Sequence, residues 1–195
     1  MNLPNKLTML RILIIPAIVL IYVLRNAIGS EGLSFLIMGI LFILASITDY
    51  FDGKIARSRN IVTTFGKFID PLADKLLVLG TLMVFSDFYA TNYQGSITMW
   101  MPFWVVLIIL ARELIVTSIR LVAVGGGIIL HASKWGKYKT AFTMMTIVFY
   151  FFVMPVDNFV INIIGIVMVS ISVLLTIGSG VDYFMKNKHI ILESI

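Results

Sequence analysis

The sequence predicts an all-α integral membrane protein, a six-transmembrane-helix bundle, and three observations predict it. Of the 195 residues, 59% are hydrophobic and only 13% charged, with a mean hydropathy of +1.01, far from the composition of a water-soluble domain. The stretches 32–48, 88–111, 140–156 and 158–181 contain no Asp, Glu, Lys or Arg, and each is close to the ~20 residues that cross a bilayer as a helix. Lys and Arg also concentrate in alternate connections, as they do on the cytoplasmic side of multi-pass proteins.

The helices are expected at roughly 7–25, 33–58, 65–86, 99–124, 135–154 and 159–185. Lys6 and Arg11 open the first and give it the look of an export signal, but Pro16 stands inside the apolar run and no small-residue cleavage site follows, so it reads as a retained span. The second and third carry a few charges that must face inward or reach an interface. Gly125, Gly126 and Gly127 end the fourth. The fifth follows the Lys134, Lys137 and Lys139 cluster, and the sixth runs toward Lys186 and Lys188. No linker is long enough to set off a second unit, so residues 1–195 form a single domain.

With the amino terminus inside, the connection holding Arg57 and Arg59, the Lys134 cluster and the tail are all cytoplasmic. Arg25 is then the only Lys or Arg on the outer side, among Glu31, Asp87 and Asp157. Tyr89, Tyr93, Trp100 and Trp104 mark the outer boundary and Trp135 and Tyr138 the inner one, an aromatic belt. The net charge of +5 suits a basic face against anionic headgroups and implies no nucleic acid. The absence of cysteine removes disulfide and thiol chemistry. His131 and His189 stand alone, so no imidazole cluster is available.

Four carboxylates break the apolar pattern: Asp49, Asp52, Asp70 and Asp74. Asp49, Asp52, Gly53 and Ala56 share one face of the second helix, and Gly66, Asp70, Ala73 and Asp74 share one of the third. At 1.5 Å per residue, Asp49 lies about 12 Å before Arg57 and Asp74 about 12 Å beyond Gly66. Antiparallel packing should bring Asp49 level with Asp74 and Asp52 level with Asp70, near the cytoplasmic interface. One ionised Asp inside a membrane costs about 3 kcal/mol, so the quartet needs compensating charge. Two divalent cations would cancel it, and hard oxygen donors select Mg2+, or Mn2+ in its place, over zinc. A pair of ions ~4 Å apart is a recurring device of phosphoryl transfer. Lys54, Arg57, Lys67 and Lys75 offer a purely structural alternative, as ion-pair partners. Gly53 and Ala56 clear space beside the acids, and Arg57 adds a planar donor array suited to a nucleotide diphosphate, although small residues on membrane helices also mark close packing.

The pattern Asp49-x2-Asp52-Gly53-x2-Ala56-Arg57-x8-Gly66-x3-Asp70-x3-Asp74 resembles the complete motif of the CDP-alcohol phosphotransferase family. That resemblance implies a six-helix membrane enzyme, usually a homodimer, which uses two divalent ions to displace CMP from a CDP-linked lipid or alcohol. It also implies that Asp49, Asp52, Asp70 and Asp74 ligate metal, that Asp74 is the general base, and that Gly53, Ala56, Arg57 and Gly66 contact CDP. The opening Asn2-Leu3-Pro4-Asn5-Lys6-Leu7-Thr8-Met9-Leu10-Arg11, the Ala111-Arg112-Glu113 run, Arg120, and the stretch from Ser133 to Thr140 are similar to the bacterial phosphatidylglycerophosphate synthase branch. Its substrates would be CDP-diacylglycerol and sn-glycerol 3-phosphate.

An acceptor with its own phosphate needs cations near the acids. Arg112 and Arg120 stand eight residues apart on the fourth helix, about 80° apart around its axis, and with Lys137 they form the candidate acceptor-phosphate pocket. Glu113 shares a face with Arg120 and is expected to orient it, while Lys134 and Lys139 read as positive-inside anchors. Two other readings remain. One is an enzyme of the same family with phosphatidylglycerol, serine or an inositol phosphate as acceptor. The other is a cation or proton transporter, which would place acids near the midplane and show inverted repeats.

Overall fold

The computed structural model describes residues 3–58, 64–92, 100–125, 128, 130, 133–153, 156 and 158–192, with side chains for 7–49, 66, 69–92, 100–125, 128, 130, 133, 135–153, 156 and 158–188. Six helices run in chain order: α1 (Leu3–Val23), α2 (Glu31–Ser58), α3 (Thr64–Asn92), α4 (Phe103–Gly125), α5 (Lys134–Val153) and α6 (Phe159–Leu192). The four charge-free stretches and the two apolar windows with a few charges, at 7–25 and 65–86, together locate the helices, and most ends agree to within a few residues. Both α3 and α6 continue well past their apolar windows. In α6 the extension carries an Asp182–Lys186 ion pair at 2.7 Å, four residues apart, the spacing that supports a helix surface.

Local chemistry sets the boundaries. After α1 the chain turns through Gly29 at φ 106°, left-handed backbone that an L side chain rarely adopts. Ser30 then caps α2, its hydroxyl accepting from the Leu33 amide at 3.2 Å. Asn158 does the same for α6, accepting from the Val160 amide at 2.9 Å. Pro16 and Pro71 are both accommodated inside helices, in α1 and α3.

The bundle falls into two groups of three. Helix α1 packs along α2 and α3, while α6 packs along α4 and α5; α2 against α5 and α3 against α4 join the groups. Phe35, Met38 and Phe42 of α2, Leu82 and Phe85 of α3, Val105 and Ile109 of α4, and Ile147 and Phe151 of α5 meet in one buried core. Edge-on rings at Phe85 and Phe151, 4.8 Å apart, lock its centre. The outward faces are apolar as well, with Leu13, Leu20, Leu121, Phe159 and Leu174 exposed. Such a surface suits hydrocarbon rather than water. Glu31–Asp49 and Phe159–Lys188 are each long and apolar enough to cross a membrane by length and composition.

Candidate active site

Helices α2 and α3 bring Asp49 and Asp74 together, as antiparallel counting requires. The residue that joins them is Arg11 of α1. Its Nη1 lies 2.8 Å from Asp49 Oδ1 and 2.7 Å from Asp74 Oδ1, and its side chain is fully buried. One turn away on α1, the Thr8 hydroxyl donates to Asp70 Oδ1 at 2.5 Å. Thus α1 supplies a cation and a hydroxyl donor to three of the four acids. By its place in the sequence Arg11 is one of the charges that orient the chain; the structure buries it at the acids instead. Asp52, Gly53, Ala56 and Arg57 ride on α2, but their side chains lie outside the described residues, as do those of Lys54 and Lys67. Gly66 is buried near the start of α3. Lys75, the remaining structural partner considered for the acids, donates to the Thr117 hydroxyl on α4.

Whether these residues suit a metal follows from their chemistry. Among the described residues no three carboxylates or imidazoles come close enough to enclose an ion. Asp49 and Asp74 nevertheless converge on a single cationic nitrogen. A site that seats a guanidinium between two carboxylates has the charge and the hard oxygen donors that a divalent cation requires. The donor set fits.

A cavity of about 640 Å³ opens from this point and is bounded by α2, α3, α4 and α5. Its size is in the range of ligand-binding clefts. Asp49 and Asp74 line it on one side, with Arg112, Arg120 and Lys137 on the other, so all three residues expected at the acceptor phosphate share one space with two of the acids. Lys137 and Arg120 are exposed, whereas Arg112 is largely enclosed.

Two expectations about neighbouring charges change. Glu113 does not orient Arg120. Its Oε1 accepts from Arg112 Nη1 at 3.0 Å and from Lys139 Nζ at 2.5 Å. Adjacent side chains on a helix diverge at Cβ, but the length of Arg112 lets its guanidinium curl back to the glutamate. Lys139, expected as an anchor in the headgroups, is instead buried at 3% exposure and lines the cavity. Arg120 finds its partner on α6: its Nε donates to the Tyr183 hydroxyl at 3.2 Å, and the guanidinium stands 5.5 Å from that ring's centroid. Arg112 Nε is buried and has no hydrogen-bond partner among the described residues.

Comparison with known proteins identifies the family. Residues 1–178 match the family model described as CDP-alcohol phosphatidyltransferase. A CDP-diacylglycerol–glycerol-3-phosphate 3-phosphatidyltransferase of Bacillus subtilis is 36% identical over 197 residues, covering 95% of each chain. Proteins of the same name from Rickettsia typhi and Wigglesworthia glossinidia brevipalpis are 35% and 33% identical, over 96% and 94% of this chain and 97% and 93% of their own lengths. The family is one of membrane enzymes that use divalent cations, which sets the transporter reading aside. With a family match spanning most of its length and relatives aligned end to end, the chain belongs to the CDP-alcohol phosphatidyltransferase family.

Proposed function

We propose that this protein transfers the phosphatidyl group of CDP-diacylglycerol to sn-glycerol 3-phosphate, giving phosphatidylglycerophosphate and CMP. The observation that carries the reading is the single cavity with Asp49 and Asp74 on one wall and Arg112, Arg120 and Lys137 on the other. The names of the full-length relatives support the same donor and acceptor.

In this reading Asp49, Asp52, Asp70 and Asp74 hold two divalent cations, Mg2+ or Mn2+. Bound there, the cations supply Lewis-acid charge for the pyrophosphate and the departing phosphate. Gly53, Ala56, Arg57 and Gly66 receive the CDP moiety. Arg112, Arg120 and Lys137 hold the acceptor phosphate, a planar donor fork being suited to its oxygens, and so aim the acceptor hydroxyl across the cavity. The Asp74 carboxylate takes the proton from that hydroxyl. The hydroxyl oxygen bonds to the phosphorus that carries diacylglycerol, and the bond from that phosphorus to the CMP oxygen breaks. Positioning and charge supply most of the catalysis. The six helices span the cytoplasmic membrane with the amino terminus and the cavity mouth on the cytoplasmic side, and the active form is a homodimer.

The test is CMP release by the purified protein from CDP-diacylglycerol with Mg2+, comparing glycerol 3-phosphate with serine, inositol phosphate and phosphatidylglycerol. Release that depends on glycerol 3-phosphate is expected. Release with a different acceptor alone would keep the aspartate chemistry and refute the acceptor assignment.

A further inference from the structure

The two arginines of the cavity both touch a helix that does not line it. Helix α6 passes behind α4, and two of its residues one turn apart, Gly180 and Tyr183, each meet one arginine. A Cβ placed on Gly180 would stand 3.1 Å from Arg112 Cγ, tighter than ordinary van der Waals contact, so the stem of Arg112 runs through space that a side chain at 180 would take. On α5, a Cβ on Gly136 would stand 3.4 Å from Arg112 Nη2. The stem of Arg112 thus passes Gly180, and its guanidinium lies beside Gly136 while reaching Glu113. Tyr183 acts on Arg120 by presence rather than absence. Its hydroxyl accepts from Arg120 Nε at 3.2 Å, its ring stands 5.5 Å from the guanidinium, and at 3% exposure it is clamped by Val116 and Ile119 of α4. The ring is thus fixed by its own packing, independently of the arginine. Engaging Nε also leaves the two terminal nitrogens of Arg120 for an anion.

We propose that Gly180 and Tyr183 form a seat on α6 that sets the spacing and direction of Arg112 and Arg120, and that they are positioning residues for recognition of the acceptor's phosphate. Spaced i and i+3, they lie on one face of α6, while the arginines are eight residues apart on α4. The seat thus converts the register between α4 and α6 into a distance between two phosphate-binding groups. Acceptors that carry a phosphomonoester are selected, whereas those lacking one gain nothing from it. This inference rests on the acceptor reading given above.

Tyr183→Phe and Gly180→Ala in the full-length protein test it, with KM and kcat for glycerol 3-phosphate, KM for CDP-diacylglycerol, and inhibition by inorganic phosphate as readouts. Tyr183→Phe keeps the clamped ring and removes one hydrogen bond to a charged group, so KM for glycerol 3-phosphate and the inhibition constant for phosphate should both rise about fivefold. The kcat and the KM for CDP-diacylglycerol should stay within about twofold. Gly180→Ala should shift the same two constants in the same direction by displacing Arg112. Unchanged acceptor and phosphate constants in both variants would overturn the seat, and so would equal shifts for donor and acceptor, which a general loosening of α6 produces. Wild-type protein that ignores glycerol 3-phosphate but uses another acceptor would remove the proposed activity alone. The phosphate inhibition constant, measured with that acceptor, would then decide the seat.

Discussion

The two walls of the cavity are built on opposite plans. On the wall made by α2 and α3, one cation is shared by two carboxylates, Arg11 of α1 reaching in from behind between Asp49 and Asp74. Across the cavity, between α4 and α5, one carboxylate is shared by two cations, Glu113 between Arg112 and Lys139. Each cluster neutralises some of its own charge and leaves an excess, negative on one wall and positive on the other. A ligand that spans the cavity therefore meets a site asking for cations and a site asking for an anion, which fits a reaction between a metal-bound pyrophosphate and a phosphorylated alcohol. The partial neutralisation matters too, because an uncompensated cluster in a low-dielectric setting would oppose folding.

Changes on the negative wall should affect chemistry whatever the acceptor, and changes on the positive wall should affect only how the acceptor is held. The largest effect is expected from Asp74→Asn, which keeps the shape of the side chain but removes the base. Turnover should fall at least about a hundredfold with the unfolding temperature in detergent little changed; near-normal turnover would break the assignment of Asp74. Next comes Arg120→Ala. It should raise KM for glycerol 3-phosphate about tenfold, the consequence of losing one charged contact to phosphate, while KM for CDP-diacylglycerol holds steady. An unaltered acceptor KM would remove Arg120 from the pocket.

Arg11→Leu sharpens the contrast in a different way, through stability. Without Arg11 the Asp49 and Asp74 carboxylates repel each other, and because both are about two-fifths exposed the loss should fall below the ~3–5 kcal/mol of a broken buried pair, at about 2 kcal/mol. If the same two carboxylates also receive a metal, Mg2+ should restore more of the variant's thermal stability than of the wild type's. Equal stabilisation of both proteins by Mg2+, measured against a chelated control, would separate Arg11 from the cation site.

The acids and the helices were legible in sequence for one reason, that spacing along a single helix determines both. Charge-free runs, with two apolar windows whose few charges face inward, located the six spans, and counting residues back from the α2–α3 connection put Asp49 level with Asp74. The partners were harder to read because they depend on how neighbouring helices are rotated about their axes. Arg11 falls inside the first predicted span, and the rule that an intramembrane charge needs a partner applies to it as much as to the aspartates; applied there, it points to the acids. Lys139 and Lys137 are two positions apart on α5, so roughly 200° separates them, and only the packing of α5 against α2 and α6 decides which one is buried. Gly180 and Tyr183 gave no signal of their own. A glycine in an apolar helix and an aromatic near its end have many uses, and their meaning emerges only from what lies opposite them.

At the end of α1 away from Arg11, the Tyr22 hydroxyl donates to Asp87 at 2.6 Å, and the Arg25 guanidinium stands 4.3 Å from the Tyr22 ring centroid. Helix α1 is therefore bolted to α3 at both ends, through Thr8–Asp70 and Arg11–Asp74 at one and Tyr22–Asp87 at the other, with Arg11 and Tyr22 about three helical turns apart. Such widely separated fastenings forbid a hinge: tilting α1 about either one stretches the other. Any opening that admits a lipid-sized donor must then carry α1 and α3 as one plank, or leave both at rest and spread the helices on the opposite wall.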